Sequence, residues 1–268
     1  MTLLTLTKRA GFQSCASVLS CKPCHSARDC PYAQVCCPDI EGGFSCANPV
    51  GRHLVQPEVV PLIAGYEQIH TQERTPQLKI ERDGSATLIK DNGHFILVDT
   101  GSGSSRDHLI RRLAQNRIRT SDIAVVILTH GHPDHFSNAF LFPWSKMVFS
   151  KTQFVGNSYE EIPTEAEEEY KLCTPNIEVV ATPGHTPEDI SIVVYNATAL
   201  GNVAITGDLV SSNKDFEMAA NETRFSFNPE EQFYNRNKLI CCKDINFVVP
   251  GHGLMFPVVQ NMKEQIEC

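Results

Sequence analysis

The chain has 268 residues, 41% hydrophobic and 20% charged, which fits one large folded domain with room for a small appendage. Its formal charge of −8 argues against broad electrostatic capture of nucleic acid or of an anionic membrane. No apolar run reaches the length that spans a bilayer, so no membrane partner is expected.

Residues 1–14 read as an N-terminal extension. Threonines interrupt its leucines and Lys8-Arg9 follow them, which makes a poor secretory signal. Seven of the 11 cysteines fall between Cys15 and Cys46, and residues 15–49 read as a Cys-rich module. With too few large apolar residues for a core, such a segment needs cross-links, and disulfides are expected ahead of zinc. Cys21-Lys22-Pro23-Cys24-His25 matches a haem-attachment string, but in so Cys-dense a segment coincidence is the better explanation. The module is a candidate for binding another protein. Residues 50–75 read as a linker and 76–268 as the main domain.

The spacing then predicts strands over 78–81, 86–90 and 94–99, with Asp83-Gly84 and Asn92-Gly93 as hairpin turns. A helix follows over 106–116, with Leu109, Ile110, Leu113 and Ala114 on one face. Residues 124–128 form a buried-type apolar strand, after which Phe142 and Trp144 read as core. Further strands are expected over 147–150, 177–181, 190–195, 203–206 and 247–249. A helix over 229–240 opens with Pro229 near its first turn. Cys241-Cys242 reads as a packing pair. Strands in two groups with helices outside imply a layered α/β sandwich.

The chemistry is concentrated in Thr129-His130-Gly131-His132-Pro133-Asp134-His135, directly after the strand at 124–128. His130 and His132 are two apart, so in extended backbone both imidazoles point the same way and can reach one cation. The turn through Pro133 presents Asp134 and His135 toward a neighbouring position. Four ligand-type side chains in six residues at a strand end read as a metal site rather than as solvated loop histidines. Three later segments repeat the arrangement: VVATPGH delivers His185, VAITGD delivers Asp208 and FVVPGH delivers His252. Glycine precedes each, as expected where backbone approaches an ion closely. Taken singly, each is more often a plain turn residue. In this order, after the histidine string, coincidence is a poor account.

HxHxDH followed by GH, GD and GH resembles the ordered motif set of the metallo-β-lactamase superfamily over residues 77–258, and VDTG at 98–101 matches its early strand-end motif. The resemblance implies an α/β fold, the αββα four-layer sandwich, here carrying a small Cys-rich N-terminal appendage. It implies that His130, His132 and His185 hold a first metal, that Asp134, His135 and His252 hold a second, and that Asp208 bridges both. Asp99 would buttress the histidine loop from behind. Two such cations lower the pKa of a bridging water so that hydroxide is available at neutral pH, and Asp134 is the expected catalytic orienter or proton acceptor. Ligands without thiolate favour two zinc ions, with iron or manganese as alternatives. An aspartate rather than a cysteine at the bridging place sets the chain apart from true β-lactamases.

The same strings resemble the vertebrate metallo-β-lactamase domain-containing protein 1 group more than other branches. That resemblance implies a homodimer with two zinc ions that processes histone pre-mRNA endonucleolytically, in cytosol and nucleus. The clustered cysteines instead suit an oxidising compartment, and a start upstream of Met1 would favour secretion. The run Cys24-x5-Cys30-x5-Cys36-Cys37 resembles the middle of a whey-acidic-protein, four-disulfide module, but with seven cysteines where that module has eight. Three activities follow as expectations: RNA phosphodiester hydrolysis, thioester hydrolysis of the glyoxalase II type, and a non-catalytic Cys-rich interaction protein. Glu160-Glu161 and the acidic run at 165–169 weigh against RNA.

Overall fold

The computed structural model describes residues 35–38, 44–47, 56–71, 78–161, 170–171, 176–217 and 225–266. In the Cys-rich segment these amount to an antiparallel hairpin, β1 (Val35–Pro38) with β2 (Phe44–Ala47). The disulfides expected within that segment, and the acidic run at 165–169, lie outside the described residues. The main domain opens with β3 (Glu58–Ile63), β4 (Tyr66–Thr71), β5 (Leu78–Asp83), β6 (Ala86–Asp91) and β7 (His94–Val98). Helix α1 (Arg106–Gln115), β8 (Ile123–Leu128), the single turn α2 (Pro133–Phe136), β9 (Lys146–Phe149), β10 (Thr152–Val155) and β11 (Ser158–Glu161) complete the first half. The second half runs β12 (Tyr170–Lys171), β13 (Ile177–Ala181), β14 (Ile190–Ala197), β15 (Gly201–Ile205), α3 (Pro229–Cys242), β16 (Phe247–Val249), β17 (Phe256–Pro257) and α4 (Gln260–Gln265).

Two mixed sheets result. One has seven strands in the order β11-β10-β9-β8-β7-β6-β3, and the other has six in the order β12-β13-β14-β15-β16-β17. Alternation along the strands decides the layers, because successive side chains in a strand face opposite ways. Ile96, Val98, Val125 and Ile127 of the first sheet join Ile192, Val194, Val203 and Ile205 of the second in one buried cluster. Their neighbours Leu97, Val126 and Leu128 turn outward onto Leu109 and Leu113 of α1. On the far side, Val193, Ala204 and Val248 meet Leu239 and Ile240 of α3. Helix, sheet, sheet and helix are thus stacked around three apolar layers. Truncating Leu113, buried at 1% exposure, to alanine would cost about 2–5 kcal/mol. Helix α3 starts where Asn228 accepts a hydrogen bond from the Glu231 amide at 3.3 Å, ahead of Pro229 in the first turn.

Four expectations change. Residues 58–71, read as linker, form β3 and β4, and β3 pairs with β6 as an edge of the first sheet, so that sheet begins upstream of residue 76. Asn92-Gly93 is the expected hairpin turn, with φ of 50° and 82°. Asp83-Gly84 is not one: β5 pairs with β4 whereas β6 pairs with β3 and β7, so this dipeptide connects two different sheets. Phe142 is core at 1% exposure, but Trp144 is 84% exposed. Cys241 is disulfide-bonded and Cys242 is exposed and free. Among the described residues no helix is long and apolar enough to cross a membrane.

Candidate metal centre

The central strands run in parallel, β7 beside β8 beside β9 and β15 beside β16. Their carboxyl ends lie at one edge of the sandwich, the usual place for a site in parallel sheets. Asp99 follows β7, the histidine string follows β8, Asp208 follows β15 and His252 follows β16; His185 comes from the loop after β13. All seven expected ligands converge here. His130, His132, His185 and Asp208 form one group, and Asp134, His135 and His252 form another, with ligand atoms in each within 4.8 Å of one another. His130 Nε2 and His185 Nε2 each lie 3.0 Å from His132 Nδ1. Asp208 reaches across: its Oδ2 is 3.3 Å from His185 Nε2 and 3.2 Å from His252 Nε2, and its Oδ1 is 3.2 Å from His135 Nε2.

Hydrogen bonds behind the rings set which nitrogen faces inward. Asp99 Oδ1 accepts from the Thr129 amide at 2.8 Å, and its Oδ2 accepts from the Thr129 hydroxyl at 2.7 Å. With its proton so engaged, Thr129 Oγ1 accepts from His130 Nδ1 at 3.1 Å and leaves His130 Nε2 with a free lone pair. Asp99 Oδ2 also accepts from His135 Nδ1 at 2.8 Å. One carboxylate therefore fixes two rings, directly in one case and through a hydroxyl in the other. Asp99 holds this position in a left-handed conformation, φ 55°, which a non-glycine residue adopts at a cost of order 1–3 kcal/mol. His252 Nδ1 donates to the Asp83 carbonyl at 3.0 Å.

Close backbone approach explains two glycines. A Cβ on Gly251 would lie 1.9 Å from Asp208 Oδ1, and one on Gly84 would lie 2.6 Å from the Asp134 carbonyl oxygen. Neither position has room for a side chain.

The two groups differ electrically. Burial holds His130 well below the ordinary histidine pKa, lowers His132 and brings His185 down to about 4. Burial also disfavours charge on His135 and His252, but Asp208 outweighs it, with help from Asp99 at His135, and both pKa values rise. Burial would raise Asp208 too; His135 and His252 more than offset that and hold it well below the usual carboxylate range.

Do these residues fit metal ions? Among the described residues six buried side-chain atoms have no hydrogen-bond partner, and three of them are Asp134 Oδ2, His135 Nε2 and Asp208 Oδ1. Orphaned buried polar atoms are costly, and here all three are ligand atoms aimed at a common space. A cation there would satisfy them. The donor set of imidazole nitrogens and carboxylate oxygens suits a divalent transition metal.

Several residues of the site carried no recognisable signal in the sequence. Asp83 orients His252 through its carbonyl, and its carboxylate accepts from the Ser102 amide at 2.7 Å and from the Ser105 hydroxyl. Gln232 Nε2 donates to the Asp208 carbonyl at 2.8 Å. Asp189 accepts from the Thr186 amide at 2.7 Å and from its hydroxyl, closing the His185 loop; burial pushes its carboxyl up to about 7. Only Thr186-x-x-Asp189, a short-range turn pattern, was there to be read. Arg82 stands at the mouth, with Nε 3.3 Å from Asp134 Oδ2. A cleft of about 750 Å³ opens over His132 and His185, and a pocket of about 190 Å³ opens over Asp208.

Comparison with known proteins agrees with this geometry. The family description "Metallo-beta-lactamase superfamily" matches residues 80–143. The Xenopus laevis metallo-beta-lactamase domain-containing protein 1 is 36% identical over 182 residues, covering 68% of this chain and 75% of that protein. An uncharacterized Caenorhabditis elegans protein is 32% identical over 188 residues, 69% of this chain; the matched region spans about half of that relative, 51%. The fold is shared with an N-acyl homoserine lactone hydrolase whose product lies at a catalytic metal center, with a TM-score of 0.55 at 20% identity over 75% of this chain and 94% of that one. With the ordered ligand strings and the layered fold in place, the chain belongs to the metallo-β-lactamase superfamily, as a metal-dependent hydrolase with a His/Asp site for two ions.

Proposed function

We infer that the chain is an endoribonuclease that hydrolyses RNA phosphodiesters with two zinc ions bound. The observation that carries the reading is the pairing of two ligand groups across Asp208 with a guanidinium, Arg82, beside the cleft that opens over them. It supports a substrate that is anionic next to the bond to be broken, and the branch resemblance favours RNA as that substrate. Imidazole and carboxylate donors without thiolate favour zinc over iron or manganese. His130, His132 and His185 would hold one ion, Asp134, His135 and His252 the other, and Asp208 both. When bound, the pair of ions would supply hydroxide at neutral pH and stabilise the charge that develops on the substrate oxygens.

The chain's own residues do the rest. Asp99 and Thr129 keep His130 and His135 in the tautomer that faces inward. Asp83 does the same for His252. Asp134, with Oδ2 3.6 Å from His252 Nε2, stands where a carboxylate can orient the nucleophile and accept its proton. The net charge of −8 disfavours loose binding along a polynucleotide, so recognition is confined to the mouth of the site.

The test is cleavage of a labelled single-stranded RNA by the zinc-loaded chain, with chelator-treated protein and Asp134→Asn as controls. Cleavage abolished by both is the expected result. No cleavage by protein shown to hold two metals would overturn the RNA reading and bring thioesters forward.

A further inference from the structure

We propose that Arg82, Phe225 and Phe227 form a nucleotide subsite at the mouth of the metal centre, with the phosphate on the guanidinium and the base on the two rings. The proposal rests on the RNA reading for its choice of ligand, and its three residues are not themselves metal ligands. Arg82 and Ile80 are two apart on β5, so both side chains face the larger cleft, where His132 and His185 form the floor. Arg82 and Phe225 line the smaller pocket as well, which places them on the seam between the two openings.

The guanidinium is poised for an anion. Its one charged partner among the described residues is Asp134, at 3.3 Å, and it makes no hydrogen bond there. Asp134 is also a member of the second ligand group. Once that carboxylate serves a cation, the charge on Arg82 is left without compensation beside open space, and a guanidinium fork matches phosphate oxygens. Lys214 adds a second positive charge in the smaller pocket. Glu188 in the larger cleft, and Glu67, Asp208 and Asp215 in the smaller pocket, oppose them, so the attraction is local rather than spread over the face.

The aromatic side is built just as firmly. Phe225 is 49% exposed and Phe227 is 71% exposed, although burial of such rings is the usual outcome. Phe225 holds a left-handed φ of 59°, strain that a bulky residue keeps only where its surroundings impose it. Those surroundings are the His185 loop. The Ser226 hydroxyl donates to the Gly184 carbonyl at 3.0 Å, the Phe227 amide to the His185 carbonyl at 3.0 Å, and the Asn228 amide to the Gly184 carbonyl at 2.8 Å. The rings are therefore held in register with a metal ligand. Exposed aromatics beside a cation suit a base stacked next to its phosphate.

The experiment measures binding of adenosine 5′-monophosphate and of adenosine to the full, metal-loaded chain by titration calorimetry, with metal content determined for every variant. Arg82→Gln is expected to weaken the monophosphate by about tenfold or more, with adenosine unchanged and two metals retained. Arg82→Lys should recover part of the loss, and Phe227→Ala should weaken both ligands. Equal monophosphate affinity in wild type and Arg82→Gln would overturn the proposal. So would no monophosphate binding by wild type, or loss of metal from Arg82→Gln, which would make Arg82 a positioning residue for Asp134. RNA cleavage is scored separately. A subsite that binds the monophosphate through Arg82 in a protein that leaves RNA intact sinks the nuclease reading alone; RNA cleavage with unaltered monophosphate binding in Arg82→Gln sinks the subsite alone.

Discussion

The two ligand groups share one carboxylate and differ in almost everything else. Around His130, His132 and His185 burial outweighs Asp208, which lies 3.3 Å from His185, and lowers all three pKa values. His135 and His252 face Asp208 and, near them, Asp134 and Asp99, so carboxylates dominate and favour their charged forms. These shifts favour the neutral, metal-binding form in the first group and the protonated form in the second, so protons compete with a metal more strongly at the second. The same residue type, a few ångströms apart, is shifted in opposite directions. The sequence places the ligands; the partners behind and between them set the direction of each shift.

The harshest way to break that contrast is to remove what the groups share. Asp208→Ala is expected to weaken both positions together, by more than the roughly 10–100-fold typical of an outer partner, so that metal content falls toward zero. Elemental analysis of the purified variant checks this, and loss of one ion alone would deny Asp208 its bridging place. His185→Ala and His252→Ala sharpen the comparison, because each removes a ligand from one group only. Each should retain a single metal, and a double loss from either would mean the groups are not separable.

Asp99→Asn is smaller in effect and less selective. It disturbs His135 directly and His130 through Thr129, so a drop of roughly 10–100-fold in metal affinity is expected at both positions, measured by competition with a chelator. The mildest perturbation is pH. Raised pKa values at His135 and His252 mean that protons compete at the second position first as the medium is acidified from neutrality. Depressed values in the first group delay that competition, toward about 4 for His185. Equilibrium dialysis across this range should therefore show the second position emptying before the first, with His252→Ala lacking the earlier step. Simultaneous release would contradict the contrast.

Much of the site was legible because metal ligands obey short-range rules. His130 and His132 alternate along extended chain, and His185, Asp208 and His252 each follow a glycine at the end of an apolar run. The strands carrying them were equally plain, since two-residue alternation such as Ile96-Leu97-Val98 divides the inner layer from the outer one. What escaped depends on distant segments meeting. The Asp83 carbonyl serves His252 from 169 positions away, and nothing local in Asp83-Gly84 distinguishes that connector from the hairpin turn it imitates. β3 was hidden in an apparent linker because an edge strand with Pro61 in it lacks the usual pattern. Arg82 acquires its meaning only from Asp134 and the cleft.

The central claim, two metals held by two unlike groups that share Asp208, is tested most directly by stepwise titration of the metal-free chain with zinc, recording stoichiometry and proton release together. The account predicts two equivalents per chain, with the later one releasing more protons than the earlier. A single equivalent in folded protein, or two equivalents with equal proton release, would contradict it.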